Sequence, residues 1–118
     1  MALKIAQKNT MRFMAVLLAL ADFGKTIEQN MEVELKVFSV DDWRQFTKNT
    51  TSDRDILKAS LLDAKGVVDD NNQPIPFNDE LKETLLNEPW IVSGLIQYQI
   101  ALQRGVSTDQ VKKLILGN

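Results

Sequence analysis

The alternation of apolar and charged residues is clearest in the segment MEVELKV. Between Met31 and Val37 every odd position is apolar and every even position is charged. This period of two residues predicts a β-strand with one face toward water. A single strand is not stable by itself, so we expect a partner strand either at Lys25 to Gln29 or near Val67.

A longer apolar run, FMAVLLALADF, occupies residues 13–23 and shows no clear period. We predict a buried helix here that runs to about Asp22. Asn9 or Thr10 would cap its start, and Gly24 would take the left-handed conformation that ends many helices. A strand is the alternative, because a continuous apolar run fits a buried strand as well as a buried helix.

A signal peptide is a third interpretation of the same run. Basic residues precede it, and Ala19 to Ala21 offers a cleavage site of the A-x-A type. The run is far shorter than the roughly 20 residues that a membrane-spanning helix needs. We therefore favour the buried helix and expect no membrane segment.

Polar capping residues mark the starts of two further helices. Ser39 precedes a short helix, and Thr51 or Ser52 precedes a helix that we expect to continue to Gly66. The spacing of apolar residues predicts which side chains face the core. They are Trp43 and Phe46 on the first helix, and Ile56, Leu57, Leu61 and Leu62 on the second.

Three more helices are predicted toward the C-terminus, capped by Asn78, Asn87 and Ser107. Pro89 fits the first turn of the middle helix, where its missing N–H costs nothing, and Gln110 completes an S-x-x-Q capping box in the last. The residues expected to face inward are Leu81, Leu85 and Leu86, then Ile91, Leu95, Tyr98 and Leu102, then Val111, Leu114 and Ile115. Together the patterns predict a mainly α single domain over residues 1–118, with about five helices and a minor β-hairpin element. An α+β fold is the alternative.

The least regular stretch is KGVVDDNNQPIPF, which ends at Phe77. Asp and Asn side chains favour turns, and each proline fixes its own φ angle and keeps the preceding residue extended. We interpret the stretch as a rigid elbow that docks two apolar side chains on the core. Its residues are Gly66, Asp69, Pro74, Ile75, Pro76 and Phe77. On this interpretation, replacing Phe77 with alanine would lower stability by about 3 kcal/mol.

The composition argues against catalysis. Cysteine and histidine are both absent, so disulfides, imidazole or thiolate metal sites and Cys–His or Ser–His nucleophiles are excluded. Acidic pairs such as Asp41–Asp42 lie at helix starts, where they are favoured by the helix dipole. The segment DDNNQPIPFNDE resembles a calcium loop, but Pro74 stands where that loop needs glycine. We expect no enzymatic activity, no cofactor and no metal.

The net charge and the aromatic residues indicate which kinds of partner the chain is expected to bind. With a net charge of −2 and scattered basic residues, the chain lacks the cationic cluster that nucleic-acid binding needs. Trp43, Trp90 and Tyr98 are the candidates for a protein interface, because aromatic residues are enriched at binding hot spots. Core packing is expected to take about two of these three.

The second half of the chain resembles the tail assembly chaperones of long-tailed, siphovirus-type bacteriophages. The resemblance lies in KGVVDDNNQPIPFNDELKETLLNEPW, followed by LIQYQIALQRG, and the strand and helix in EVELKVFSVDDW also fit. Two positions depart from the pattern: Ala64-Lys65 stands where a tryptophan is expected, and Asn72 replaces the turn glycine. The matching residues are Gly66, Val67, Asp69, Pro74, Pro76, Phe77, Leu85, Leu86, Pro89, Tyr98 and Ala101.

The resemblance implies a function in tail morphogenesis. Such a protein binds the tape measure protein and keeps it soluble until tail tube subunits polymerise around it. It acts as a homo-oligomer, a ring or spiral, in the host cell cytoplasm, and it is absent from the mature virion. A longer isoform made by ribosomal frameshifting would contact the tail tube protein. The competing hypothesis is a small acidic regulatory or inhibitor module that binds one folded partner.

Overall fold

The computed structural model describes residues 9–117, which form an α+β fold rather than the mainly α fold that we predicted. Three antiparallel strands form one sheet in the order β1-β2-β3. They are β1 (Thr10–Leu20), β2 (Thr26–Lys36) and β3 (Leu61–Lys65). Five helices complete the described part of the chain: α1 (Val40–Lys48), α2 (Asp53–Ser60), α3 (Asp79–Leu85), α4 (Pro89–Gln103) and α5 (Thr108–Leu116).

The predicted first helix is wrong, and its segment is the long strand β1. β1 pairs with β2 over its whole length, from Thr10 opposite Lys36 to Leu20 opposite Thr26. The alternation of a half-buried strand is hidden because Ala15, Val16 and Leu17 are all buried, on both faces of the strand. The strand alternative is therefore the correct one. Gly24 does adopt the expected left-handed conformation, with a φ of 70°, but it does so in the hairpin turn.

The predicted strand is confirmed as part of β2. Met31, Val33 and Leu35 are buried, while the charged residues between them are more exposed. The segment Lys25 to Gln29, which we considered as a separate partner strand, is mostly part of β2, and the first partner of β2 is β1. The second neighbour is β3, which ends just before Val67 and pairs with β2 from Glu32 to Leu35.

The helix that we expected to reach Gly66 ends at Ser60, and the chain enters β3 directly. Ser60 is fully buried, where its hydroxyl group donates to the carbonyl of Lys36 (3.2 Å) and contacts the side-chain oxygen of Gln99. These bonds tie the end of α2 to the end of β2. Leu61 then pairs with Leu35 in the sheet, and Leu62 points outward instead of into the core.

Most of the predicted helix caps are confirmed. The side chains of Ser39, Ser52, Asn78 and Ser107 each accept a hydrogen bond from a backbone N–H in the first turn. Asn87 is not the cap of α4, because Glu88 holds that position without a side-chain hydrogen bond. A second correction concerns α5, where Val111 is buried as predicted but Leu114 is exposed.

Helix α4 fixes the sheet to the rest of the core. Tyr98 lies in its middle with no exposed surface, and its ring centroid is 4.9 Å from that of Phe13 on β1. Near the C-terminal end of α4, Gln103 accepts from the backbone N–H of Phe38 (2.8 Å) and donates to its carbonyl (2.9 Å). α4 thus contacts β1 through Tyr98 and holds Phe38, two residues after β2, through Gln103.

Candidate functional site

The β1–β2 hairpin ends in a turn with an unusual residue. Phe23 has φ and ψ of 63° and 31°, and Gly24 follows with a φ of 70°. Two successive residues with positive φ are typical of a type I′ turn, whose first position favours asparagine, aspartate or glycine. A phenylalanine there costs roughly 1 kcal/mol in backbone strain. Its side chain is 97% exposed, so it gains nothing from its own core in return.

Phe23 is part of a larger exposed apolar surface. Leu20, the last residue of β1, is 83% exposed, and Ile27 near the start of β2 is 52% exposed. We call Leu20, Phe23 and Ile27 the apolar tip. Leu20 is paired with Thr26 and Ile27 with Ala19, so the side chains of Leu20 and Ile27 leave the hairpin on opposite faces. The apolar tip is therefore an exposed apolar hairpin end rather than a single flat patch.

A groove begins beside the apolar tip. It has a volume of about 550 Å³ and lies between β1, α4 and α5. No charged residue lines it, although a quarter of the chain is charged. We call it the edge groove; its main lining residues are Val16, Leu18 and Leu20 from β1, Trp90, Gly94 and Gln97 from α4, and Leu114 and Ile115 from α5. Leu20 therefore belongs to both the tip and the groove, and the two adjoin at this residue.

The free edge of β1 faces the same region. Ala21 donates to the carbonyl of Lys25, and Asn9 accepts from Val37, so the odd-numbered residues bond toward β2. The alternation of an antiparallel ladder then turns the backbone groups of the even-numbered residues to the outer edge. At Val16 this edge is closed by the Tyr98 hydroxyl, which accepts from the Val16 N–H (2.9 Å) and donates to its carbonyl (3.0 Å). Burial raises the pKa of Tyr98.

The predicted elbow is held by its own hydrogen bonds. The Asp69 carboxylate accepts from the backbone N–H groups of Asn71 (2.8 Å) and Gln73 (3.0 Å). Ile75 donates to the carbonyl of Val67 (2.9 Å), and Val68 forms an isolated bridge with Pro74. The side chains of Ile75 and Phe77 are half-buried and pack against the core. The stretch is thus a small hairpin-like loop that leads into α3, with Gly66 before it and Pro76 exposed at its end.

The three aromatic candidates lie in different surroundings. Tyr98 is a core residue, whereas Trp90 is half-buried and lines the edge groove. Trp43 is half-buried on α1, with its ring 6.3 Å from that of Phe46. Sequence reasoning did not name the apolar tip, and it placed Leu114 in the core although this residue is exposed. The signal that was available was DFGK, where an aromatic residue precedes the glycine of a turn.

One ionic cluster lies on the outer face of the sheet. Arg12 bonds to the carboxylates of Glu32 (2.8 Å), Glu34 (3.0 Å) and Asp63 (2.8 Å). The hydrogen bond from Arg12 holds the pKa of Asp63 below its ordinary value. Arg12 lies on β1, its two glutamate partners lie on β2 and Asp63 lies on β3, so these ion pairs link the three strands of the sheet.

Residues 9–117 include no group of three or more acidic side chains arranged to hold a metal ion. Within the same range, every helix is too short or too polar to cross a membrane. Comparison with known proteins gives no match: no protein-family model fits the chain, and no curated protein or solved structure is similar to it.

Proposed function

We propose that this chain is a phage tail assembly chaperone that binds the tape measure protein and keeps it soluble while the tail tube polymerises. The observation that carries the proposal is the exposed apolar tip together with the uncharged edge groove that adjoins it at Leu20. It supports a binding function because apolar side chains are presented to solvent at a strained turn. The choice of client rests on the sequence resemblance between Lys65 and Gly105.

A long helical client sets particular physical demands. Its apolar stripe must be covered along its whole length, and many copies of one weak site do this better than a single strong site. Self-association into a ring or spiral brings such copies together. Work in the host cell cytoplasm, absence from the mature virion and a longer isoform that contacts the tail tube protein belong to the same proposal.

Co-expression with a fragment of the tape measure protein tests the proposal. We expect the fragment to sediment when expressed alone and to remain in the supernatant, bound to this chain, when both are expressed. Leu114→Gln removes an exposed apolar side chain from the edge groove and should lower the recovered fraction severalfold. Val40→Asn is the matched control, because Val40 is an exposed apolar residue on α1, outside the tip and groove.

Two results would separate the proposal from its alternative. A fragment that sediments equally with and without the wild-type chain contradicts the chaperone function. If the chain in addition stays monomeric and captures one folded protein, the regulatory or inhibitor module is the better account.

A further inference from the structure

We propose that the edge groove of one copy binds about two turns of an amphipathic α-helix of the client, and that it does not take an extended client segment. This inference rests on the proposed function and deepens it. It names the conformation, the length and the side-chain pattern of the client segment that one copy of this chain covers.

The strand wall of the groove offers few hydrogen-bonding partners to a client backbone. At Val16 the outward N–H and carbonyl groups of β1 are both bonded to the Tyr98 hydroxyl. Beyond Val16 only Leu18 and Leu20 turn backbone groups to this edge before β1 ends. This stretch is too short for a stable added strand, because strands usually run for about five or six residues.

The helical walls offer little more. Most backbone groups of α4 and α5 are already bonded within their own helices. Among the described lining residues, the polar side-chain groups come from Trp90, Ser93 and Gln97, and Gln97 already donates to the Ser93 carbonyl (3.3 Å). An extended client segment would therefore bury backbone groups without partners. A helix avoids this cost because its own backbone groups are bonded to each other.

The dimensions of the groove match one face of a short helix. Its α4 wall runs from Pro89 to Gln97, which is about 12 Å at the rise of an α-helix. The volume of about 550 Å³ holds roughly three or four leucine-sized side chains, at about 150 Å³ each. Apolar residues at positions i, i+4 and i+7 of a helix place three such side chains within about 10.5 Å. One copy of the chain therefore covers about two helical turns.

The polarity of the groove restricts the client further. The described lining residues carry no charge, so the client side chains that enter the groove are uncharged. Two helical turns bury less than the roughly 1,200 Å² of a stable interface, so one groove binds its segment weakly. A client is then held firmly only where the apolar pattern recurs at helical spacing and several copies bind side by side.

Trp90 provides a direct reporter of occupancy, because it lines the groove and the chain has one other tryptophan, Trp43 on α1. In a full chain that carries Trp43→Phe, the fluorescence comes from Trp90 alone. The probes are two peptides of equal composition and of about 16 residues, long enough for a helix to form on binding. One carries leucines at positions i, i+4 and i+7, and the other carries them at every second position.

We expect the peptide with helical spacing to bind at least about tenfold more tightly than the peptide with strand spacing. Its binding should shift the emission of Trp90 and increase the helical signal in circular dichroism. Leu114→Gln removes an apolar lining residue that is 79% exposed, so folding should be unaffected. This variant should bind the helical-spacing peptide at least about fivefold more weakly, whereas Val40→Asn, on α1, should bind it as before.

Three results would overturn the proposal. The first is a strand-spacing peptide that binds as tightly as the helical one, which would assign the groove to an extended segment. The second is a lack of binding by either peptide. The third is an emission of Trp90 that changes with the concentration of the chain alone, which would assign the groove to a second copy.

The outcome for the groove is distinguishable from the outcome for the proposed function. If the tape measure fragment stays in the supernatant while the strand-spacing peptide binds as well as the helical one, the chaperone function stands and the helix-binding groove is wrong. If the fragment sediments while the helical-spacing peptide binds at Trp90, the groove binds helices and the chaperone function is wrong.

Discussion

Tyr98 and Val16 are joined by two hydrogen bonds although 82 residues separate them in the chain. One hydroxyl group accepts from the Val16 N–H and donates to the Val16 carbonyl. An edge strand normally leaves such groups open to pairing with another chain. Here the middle of the β1 edge is closed from α4, so we expect contacts with other molecules to use the side chains of the tip and groove rather than strand addition at Val16.

Replacing Tyr98 with phenylalanine should destabilise the fold by about 3 kcal/mol, because two buried backbone groups lose their only side-chain partner. The ring and its contact with Phe13 are kept, so the cost comes from hydrogen bonding rather than from a cavity. Urea unfolding of the wild type and the variant measures the difference. A loss below about 0.5 kcal/mol would show that water replaces the hydroxyl group.

The ionisation of Tyr98 can be measured directly, because it is the only tyrosine in the chain. Burial raises its pKa above the ordinary value of 10.0. The unfolded chain therefore loses this proton at a lower pH than the folded chain. It follows that the free energy of unfolding decreases as the pH rises through the ordinary value toward the raised one. An ultraviolet titration should show phenolate forming later in the native protein than in urea; coincident curves would contradict the buried hydroxyl.

The elbow interpretation predicts a smaller effect of Phe77→Ala than the sequence suggested. Phe77 is half-buried rather than fully buried, so we now expect a loss of about 1.5 kcal/mol instead of about 3. Asp69→Ala is an informative companion, since it removes the acceptor for two turn N–H groups without touching the core. If thermal unfolding is unchanged in the Phe77 variant, the elbow does not depend on docking this ring.

Gly94 allows α4 to approach β1 closely. A Cβ atom at this position would lie 2.5 Å from a methyl carbon of Leu17. In Gly94→Ala, the gain in helix propensity of about 1 kcal/mol opposes the shift forced on Leu17. We expect a net change within about 1 kcal/mol, whereas Gly94→Val should cost at least about 2 kcal/mol because its branches leave Leu17 no room. Equal stability of the two variants in urea unfolding would contradict the close packing.

The elements that the sequence predicts well are those controlled by nearby residues. Four helix caps and the alternating strand around Val33 depend on contacts within a few positions, and the structure confirms them. β1 was assigned to a helix because Val16 is buried together with Ala15 and Leu17, which removes the alternation. Tyr98, which lies 82 residues further along the chain, is among the residues that contact Val16. No local sequence pattern indicates that contact.

The remaining errors have the same origin. Ser60 ends α2 because its hydroxyl group bonds to the carbonyl of Lys36 beside Gln99, and neither partner is near in sequence. The interface candidates were chosen by residue type alone, which selected Trp43, Trp90 and Tyr98 and left out Phe23. Only the backbone conformation of the turn shows that Phe23 is both strained and exposed.

The central claim is that this chain self-associates and that it binds a tape measure protein through the apolar tip and the edge groove. Light scattering on a sizing column, with and without a tape measure fragment, tests this claim most directly. We predict a mass of at least twice 13.4 kDa for the chain alone, rising with concentration, and a larger complex that contains the fragment. A monomer at every concentration, in the presence and absence of the fragment, would contradict the account.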